Sequence, residues 1–398
     1  MGKGKVGIEG FERVGFSPLH VPFGLRATLG GCWLISTMKT LRLFWRELAI
    51  FAIWAISVVA KIKYHGLIFG FDYGLYQPDG IHYTYRTLTF LGQSQQDAAQ
   101  QVVDWYSINA SKVKIFSVEN MLPETNQVWG VVSQRTLYPL LSVPFVAMFG
   151  IAGMLAIPTI SLLVLMIVAL QLGKVYKVPN FGLVIALLLT CSQTVMRWMI
   201  VNCTDALLAG LFGIVVLMLV KNKWGIKSTV LLITLCVATS FTRICLPVWI
   251  LIALVLFYQK HKTVAVSIAL LSMILSIPTF LAAPSNAILP SATQSSGLTK
   301  LFYLPISFIK IIAFELAELA VLDRTLLFLI LLTVAFSLKY WRYSSAQFFI
   351  AAFIATFAIG AINGELGVNF RYQMPQIPFM AWVLIQSYSS YRFDKSSA

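Results

Sequence analysis

Apolar residues run in blocks along this chain, at about 44–62, 151–172, 181–196, 203–220, 228–242, 245–258, 263–283, 325–338, 345–362 and 371–388, with the polar residues gathered between them. Roughly 20 residues cross the hydrocarbon of a bilayer, so the pattern predicts about ten transmembrane helices, several of them short. The block at 228–258 is too long for one upright helix and is interrupted by Arg243 and Pro247. Lys221, Lys223 and Lys227 precede it and Lys260 and Lys262 follow it. Basic flanks belong on the cytoplasmic side, so both ends face inward and the chain is predicted to turn near Arg243 at the outer face.

Between the first two blocks, residues 63–150 form a predicted outer segment with two amphipathic stretches, 80–92 and 94–106. It ends in LYPLLSVPFVAMFG (137–150), which is too short to span and is predicted to lie in the interface. A second outer segment, 284–324, opens with APSNAILPSATQSSG and closes with LTKLFYLPISFIKIIAFELAELAVLD, an interfacial helix or a lid. The expected organisation is therefore a cytoplasmic segment 1–43, a membrane domain 44–388 and a cytoplasmic tail 389–398. Residues 1–37 are unpatterned, whereas Met38 opens a basic flank followed by an apolar span. Translation is expected to start at Met38, the alternative being a cytoplasmic tail.

Composition narrows the class. With 58% hydrophobic and 11% charged residues among 398, the chain carries about half the charge of a soluble domain. No ten-residue alternation of the membrane-barrel kind is visible, so the fold class is all-α, a polytopic helical bundle. The net charge of +15 sits in small groups between apolar blocks and acts as a topology signal, which argues against a nucleic-acid partner. Cys32, Cys191, Cys203, Cys236 and Cys245 lack metal-ligand spacing and are expected to be small core residues.

With both termini inside, the predicted cytoplasmic segments hold 18 of the 30 Lys and Arg residues. Eleven of the 15 acids fall on or near the other side: Asp72, Asp79, Asp97, Asp104, Glu119, Glu124, Asp205, Glu315, Glu318, Asp323 and Glu365. Acids contribute little to insertion, so their one-sided placement points to an outward-facing site.

Asp79 lies in Gln77-Pro78-Asp79-Gly80, a turn leading into an aromatic amphipathic stretch, where it is either a helix cap or a site base. Asp72 precedes Tyr73-Gly74 and is either a site acid or an ordinary ion pair with Lys61, Lys63 or Arg86. His65 and His82 flank these acids without the spacing that fixes a metal site. Arg135, Arg243 and Arg371 adjoin predicted spans on the outer side, where each is a candidate phosphate ligand or a headgroup-seeking arginine. Asp205 in VNCTDALLAG is a helix cap or a site acid.

The order of these pieces resembles the GT-C class of integral-membrane glycosyltransferases, in its protein mannosyltransferase and aminoarabinose transferase-like branch. The resemblance rests on Asp79-Gly80-Ile81-His82-Tyr83, on Arg135-Thr136-Leu137-Tyr138-Pro139-Leu140 through Phe149-Gly150, and on Thr204-Asp205-Ala206-Leu207. Arg243 and Gly367-Val368-Asn369-Phe370-Arg371-Tyr372 with Pro375 and Pro378 complete it, so that it covers about residues 40–388. It implies an inverting transfer of a sugar from a polyprenyl-phosphate donor to a glycan, lipid or protein acceptor on the outer or luminal face. Asp79 would be the general base, with Arg371, Arg243 and Tyr372 binding the donor phosphate. Asp205, Asp72, His82, Tyr83 and Arg135 would contact substrate. The segments 137–150 and 300–322 would wall a groove for the lipid tail under a lid at 284–299. The implied location is a bilayer such as the bacterial plasma membrane. Many members have two adjacent acids where this chain has Asp79-Gly80, which counts against a divalent cation as cofactor. A transporter or lipid flippase, and an inactive assembly subunit of the same fold, are the competing expectations.

Overall fold

The computed structural model describes residues 44–64, 75–109, 117–125, 129–221, 225–243, 245–282, 299–363 and 370–396. Asp72, His65, Glu365, Gly367 to Asn369, the segment 1–43 and nearly all of 284–299 lie outside them. Every regular element among the described residues is helical.

In chain order the helices are α1 (44–64), α2 (Pro78–Phe90), α3 (Gln95–Asn109), α4 (Val118–Met121), α5 (Trp129–Val132), α6 (Leu137–Phe149), α7 (Ala156–Val175), α8 (Pro179–Cys191) and α9 (Gln193–Ile200). There follow α10 (Thr204–Lys221), α11 (Ile226–Ser240), α12 (Leu246–Tyr258), α13 (Lys262–Ala282), α14 (Thr299–Leu322), α15 (Arg324–Lys339), α16 (Ser344–Asn363) and α17 (Ile377–Ser396). Short 3₁₀ turns at Gly150–Leu155 and Met374–Gln376 lead into α7 and α17.

Local chemistry sets many of these boundaries. Pro78, Pro179 and Pro247 occupy the first turns of α2, α8 and α12, where a missing N–H costs nothing. Ser192 accepts from Val195 N and caps α9, and Asp323 accepts from Leu326 N and caps α15. Gly173 on α7 and Gly182 on α8 bring two backbones together: a β-carbon on Gly182 would lie 2.6 Å from Ala169 O. Small residues at such a crossing are how helices pack closely where lipid gives no apolar driving force.

The core divides in two. One cluster joins α7 to α17 around Phe212, Trp249, Phe357, Phe379 and Trp382. The other joins α2, α3, α4 and α6 around Tyr83, Tyr85, Val102, Tyr106 and Tyr138, and meets α10 at Leu207. The predicted outer segment is thus a packed helical cap in which Arg86 fastens α5, donating to Val132 O at 3.2 Å and Ser133 O at 2.8 Å.

The structure corrects the span count. Among the described residues, three helical stretches are long and apolar enough to cross a membrane: Leu137–Val175, Thr204–Lys221 and Ser344–Ile362. The pair Pro179–Cys191 and Gln193–Ile200, bent by 78° at Ser192, makes a fourth if counted as one broken span. The expected ten fall short because apolar sequence runs straight through joints at which the helices end. Thus 137–149, expected to be a separate interfacial piece, continues through the turn at 150–155 into α7, and α11 and α12 have only 15 and 13 residues. The turn predicted near Arg243 is present between α11 and α12. The tail expected at 389–398 is helical as far as Ser396, as part of α17. Large apolar residues remain exposed on the outer faces, among them Leu254, Ile274, Phe328, Leu331 and Ile354, the surface that a lipid-embedded bundle presents.

Helix ends are sorted. Lys174, Lys221, Lys260, Lys339 and Arg342 lie at the ends of α7, α10, α12 and α15 and before α16. Side-chain bonds tie several of these ends together, Gln259 to Gln347 at 2.9 Å and Tyr176 to Gln386 at 3.2 Å. The opposite end of the bundle carries Asp205, Arg243 and Arg371.

Candidate active site

Five charged side chains from well-separated parts of the chain meet at that end. Asp205, in the first turn of α10 and 1% exposed, receives Arg243 Nη1 on one carboxylate oxygen and Arg371 Nε at 2.9 Å on the other. Arg371 Nη2 reaches on to Asp79 Oδ2 at 2.5 Å, so one guanidinium bridges the two acids. Arg135 lies 4.0 Å from the same Asp79 oxygen and donates to the Tyr83 hydroxyl at 2.8 Å. Three guanidinium groups thus face two carboxylates, which leaves one positive charge in excess.

Aromatic rings back the cations. The Arg243 guanidinium lies 4.4 Å from the Tyr372 ring centroid, and that of Arg371 lies 5.3 Å from Trp198. Both distances are within the range of cation–π attraction. Tyr372, expected to bind phosphate, therefore acts here as a floor for Arg243.

Burial separates the two acids. Asp205 is sealed, whereas the Asp79 side chain keeps 39% of its surface open. Burial pushes the Asp79 carboxyl up, but Arg371 and then Arg135 outweigh it and hold it well below the usual carboxylate range. His82, on the same helix, is driven toward the neutral imidazole by burial, Asp79 opposing and Arg135 assisting.

Asp79 is not a helix cap. The cap position of α2 is Gln77, with no side-chain cap bond, and Asp79 sits one residue inside the helix with its carboxylate turned to Arg371. The turn is held by Asn202, which is fully buried. Its Oδ1 accepts from Gln77 N at 2.8 Å, its Nδ2 donates to Tyr106 Oη at 2.6 Å, and its own N–H donates to Leu75 O at 3.2 Å. The same amide fills the space that a β-carbon on Gly80 would enter. A second acid at position 80 would therefore have no room: the Asn202 clamp and a side chain there exclude one another.

Sequence reasoning anticipated Asp79, Asp205, Arg135, Arg243, Arg371, Tyr83 and Tyr372, and the structure gathers all seven. His82 is on the same helix as Asp79 and feels its charge. Asn202, Trp198 and Glu315 were missed. Asn202 and Glu315 carried one signal, a polar side chain inside an apolar run with no surface role. The cysteines are as expected at Cys203, Cys236 and Cys245, which are buried and free, whereas Cys191 is exposed.

Both carboxylates are already engaged by guanidinium groups, the surplus charge is positive, and no group of three or more His, Cys, Asp or Glu suited to a metal occurs among the described residues. The arrangement suits an anion, above all one with several oxygens that can take bidentate guanidinium bonds.

Glu315, on α14, is 1% exposed, and its Oε2 accepts from Phe370 N at 2.5 Å. Phe370 has φ +62°, a left-handed conformation costing a non-glycine residue roughly 1–2 kcal/mol. The hydrogen bond to Glu315, worth about 0.5–1.5 kcal/mol with the carboxyl protonated and about 1.5–3 kcal/mol with it ionised, offsets that cost. Burial, with help from Glu318, pushes the Glu315 carboxyl up to about 7 against the lowering effect of the Phe370 N–H.

Comparison of the chain with protein-family models, with curated proteins and with solved structures gives no match.

Proposed function

We propose that this protein is a membrane glycosyltransferase that moves a sugar from a polyprenyl-phosphate donor to an acceptor hydroxyl, with inversion at the anomeric carbon. The observation that carries the proposal is the convergence of Asp79, Asp205, Arg135, Arg243 and Arg371 into one network with a positive charge to spare. A structural ion-pair cluster would close its charges. This one supports an anionic ligand, and its position at a bundle end supports a substrate whose lipid stays in the bilayer.

The acceptor oxygen attacks the anomeric carbon from the face opposite the phosphate while Asp79 takes the hydroxyl proton. The bond from the anomeric carbon to the phosphate oxygen breaks, and its electron pair leaves on the polyprenyl phosphate. Arg371 and Arg243 stabilise that charge as it builds, which is where preorganised donors contribute most. Asp205 keeps both guanidiniums aimed, and Tyr83 does the same for Arg135.

An aspartate held by Arg371 is a weak base, since an effective general base has a pKa near the working pH. The donor itself relieves this. Its phosphate competes for Arg371, and of the two acids holding that guanidinium, Asp79 is the open one and Asp205 the sealed one. As phosphate displaces Asp79, the carboxylate loses Arg371, the cation that depresses its pKa most, and becomes more basic only when a donor is in place.

The finer topology belongs to the same proposal. The basic helix ends face the cytoplasm, the site faces the outer or luminal side, and the shorter apolar helices α11, α12 and α13 pack beside the long ones in a helical bundle of the GT-C kind. Acceptors are glycans, lipids or proteins on that outer side.

The test is transfer from polyprenyl-phosphate sugars in membranes that contain the protein. Asp79→Asn should abolish transfer with abundance unchanged, and Arg371→Lys, which loses the bidentate fork, should weaken donor use at least tenfold. Unaltered transfer in both variants would sink the assignment.

A further inference from the structure

The proposed mechanism uses Arg371 but leaves open what aims it. Arg371 follows Phe370, a fully buried aromatic with φ +62° whose ring meets Phe357 edge-on at 6.2 Å. A bulky residue in that region persists only where its surroundings over-determine it, and such strain tends to be kept at functional sites. The direction in which the chain leaves Phe370 is the direction in which Arg371 enters the site. The group that fixes this backbone comes from α14: Glu315 Oε2 accepts from Phe370 N at 2.5 Å across 55 positions of sequence.

Glu315 is an expensive way to satisfy one N–H. Its other oxygen, Oε1, is buried without a hydrogen-bond partner. A buried acid that makes a single bond is kept against the tendency of interiors to exclude it. No guanidinium of the charge cluster takes this oxygen, so Glu315 contributes nothing to the ion-pair network except through Phe370.

We propose that Glu315 is a positioning residue for the anion site: acting through the Phe370 backbone, it locks the strained turn that carries Arg371 between Asp79 and Asp205 and so sets the affinity for the donor phosphate. This role rests on the reading of Arg371 as the ligand of a polyprenyl-phosphate donor. Loss of Glu315 releases the Phe370 N–H, the turn relaxes from φ > 0, and Arg371 loses its aim without any change at the acids it serves.

The test uses the full chain in lipid nanodiscs. It measures donor KM and kcat in sugar transfer and, separately, the affinity for polyprenyl phosphate alone. Glu315→Met, similar in volume but unable to accept, should raise donor KM at least tenfold and weaken polyprenyl-phosphate binding by a similar factor, with kcat within about threefold. Glu315→Gln keeps an acceptor oxygen for Phe370 N and should restore both to within about threefold. Glu318→Ala, one turn further along α14, should leave both unchanged. If Glu315→Met does not accumulate, Glu315→Asp, which draws the carboxylate back by one carbon, should show the same KM-only defect. Wild-type KM and polyprenyl-phosphate affinity in Glu315→Met, or in Glu315→Asp where it stands in, would overturn the positioning role alone. So would a loss confined to kcat, or a failure of Glu315→Gln to rescue. A wild-type protein that neither binds polyprenyl phosphate nor transfers sugar would overturn the functional reading, and this one with it.

Discussion

Gly80→Ala is the smallest change that tests the geometry around Asp79. The added β-carbon would overlap the Asn202 amide, which cannot swing aside freely, because Asn202 is fully buried and bonded at both ends of its side chain. To admit the methyl group, Asn202 must give up Gln77 N and Tyr106 Oη. Tyr106 retains Thr84 Oγ1 at 3.2 Å, so the cost falls on the two bonds that the Asn202 amide gives up. A buried hydrogen bond left unmade costs about 1–3 kcal/mol, which puts Gly80→Ala at about 2–6 kcal/mol. Denaturant unfolding of the detergent-solubilised protein reads this loss, and sugar transfer should fall with it because the turn bearing Asp79 moves. Asn202→Ala should cost a comparable amount. Gly80→Ala on that background should add under about 1 kcal/mol, a failure of additivity expected of groups that compete for one space. Gly80→Asp, which restores the acidic pair of the resembled family, should be worse than Gly80→Ala and should gain no response to divalent cations. Wild-type stability in Gly80→Ala, or simple additivity with Asn202→Ala, would refute the clamp.

Further outcomes follow from the charge network. Arg243→Met leaves buried Asp205 with one cation where it had two and should cost about 3–5 kcal/mol in the same unfolding measurement; Asp205→Asn should weaken donor binding more than it changes kcat. Asp79 has a folded pKa depressed below its unfolded value, so its contribution to stability is present above about pH 4 and is lost only as pH falls through the lower folded value. The stability difference between wild type and Asp79→Asn should therefore stay constant from pH 5 to pH 8, and a titration inside that window would contradict the pairing with Arg371. Glu315 behaves oppositely. Its folded pKa, about 7, lies above the unfolded value of 4.5, so the folded state favours the proton and stability falls as pH rises through that interval. Circular dichroism melts from pH 4 to pH 8 should show that slope in wild type and its loss in Glu315→Gln.

The sequence displayed the site better than it displayed the fold. Asp79, Asp205 and three arginines stood out because charge is rare in an apolar chain and must be accounted for wherever it occurs. Their convergence was not visible, since nothing along the chain links position 79 to position 371. The span count failed for a physical reason: hydropathy measures the solvent a segment tolerates, whereas a helix ends where its backbone bonds end. At Ser192 and at Gly150 the apolar block continues while the α-helix stops. Asn202 escaped notice because its importance lies in what it fills. It became legible only when the space above Gly80 was known.

The bend at Ser192 has a consequence for how the protein is made. Asp323, from far downstream, accepts the Ser192 hydroxyl at 2.5 Å and Thr194 N at 2.9 Å, and also caps α15 through Leu326 N at 3.0 Å. A break inside an apolar helix exposes backbone donors that hydrocarbon cannot satisfy. During synthesis those donors emerge some 130 residues before the carboxylate that receives them. The α8–α9 elbow lacks this acceptor until Asp323 and α15 pack beside it, so a nascent chain halted before Asp323 should be the form that quality-control proteases recognise and remove.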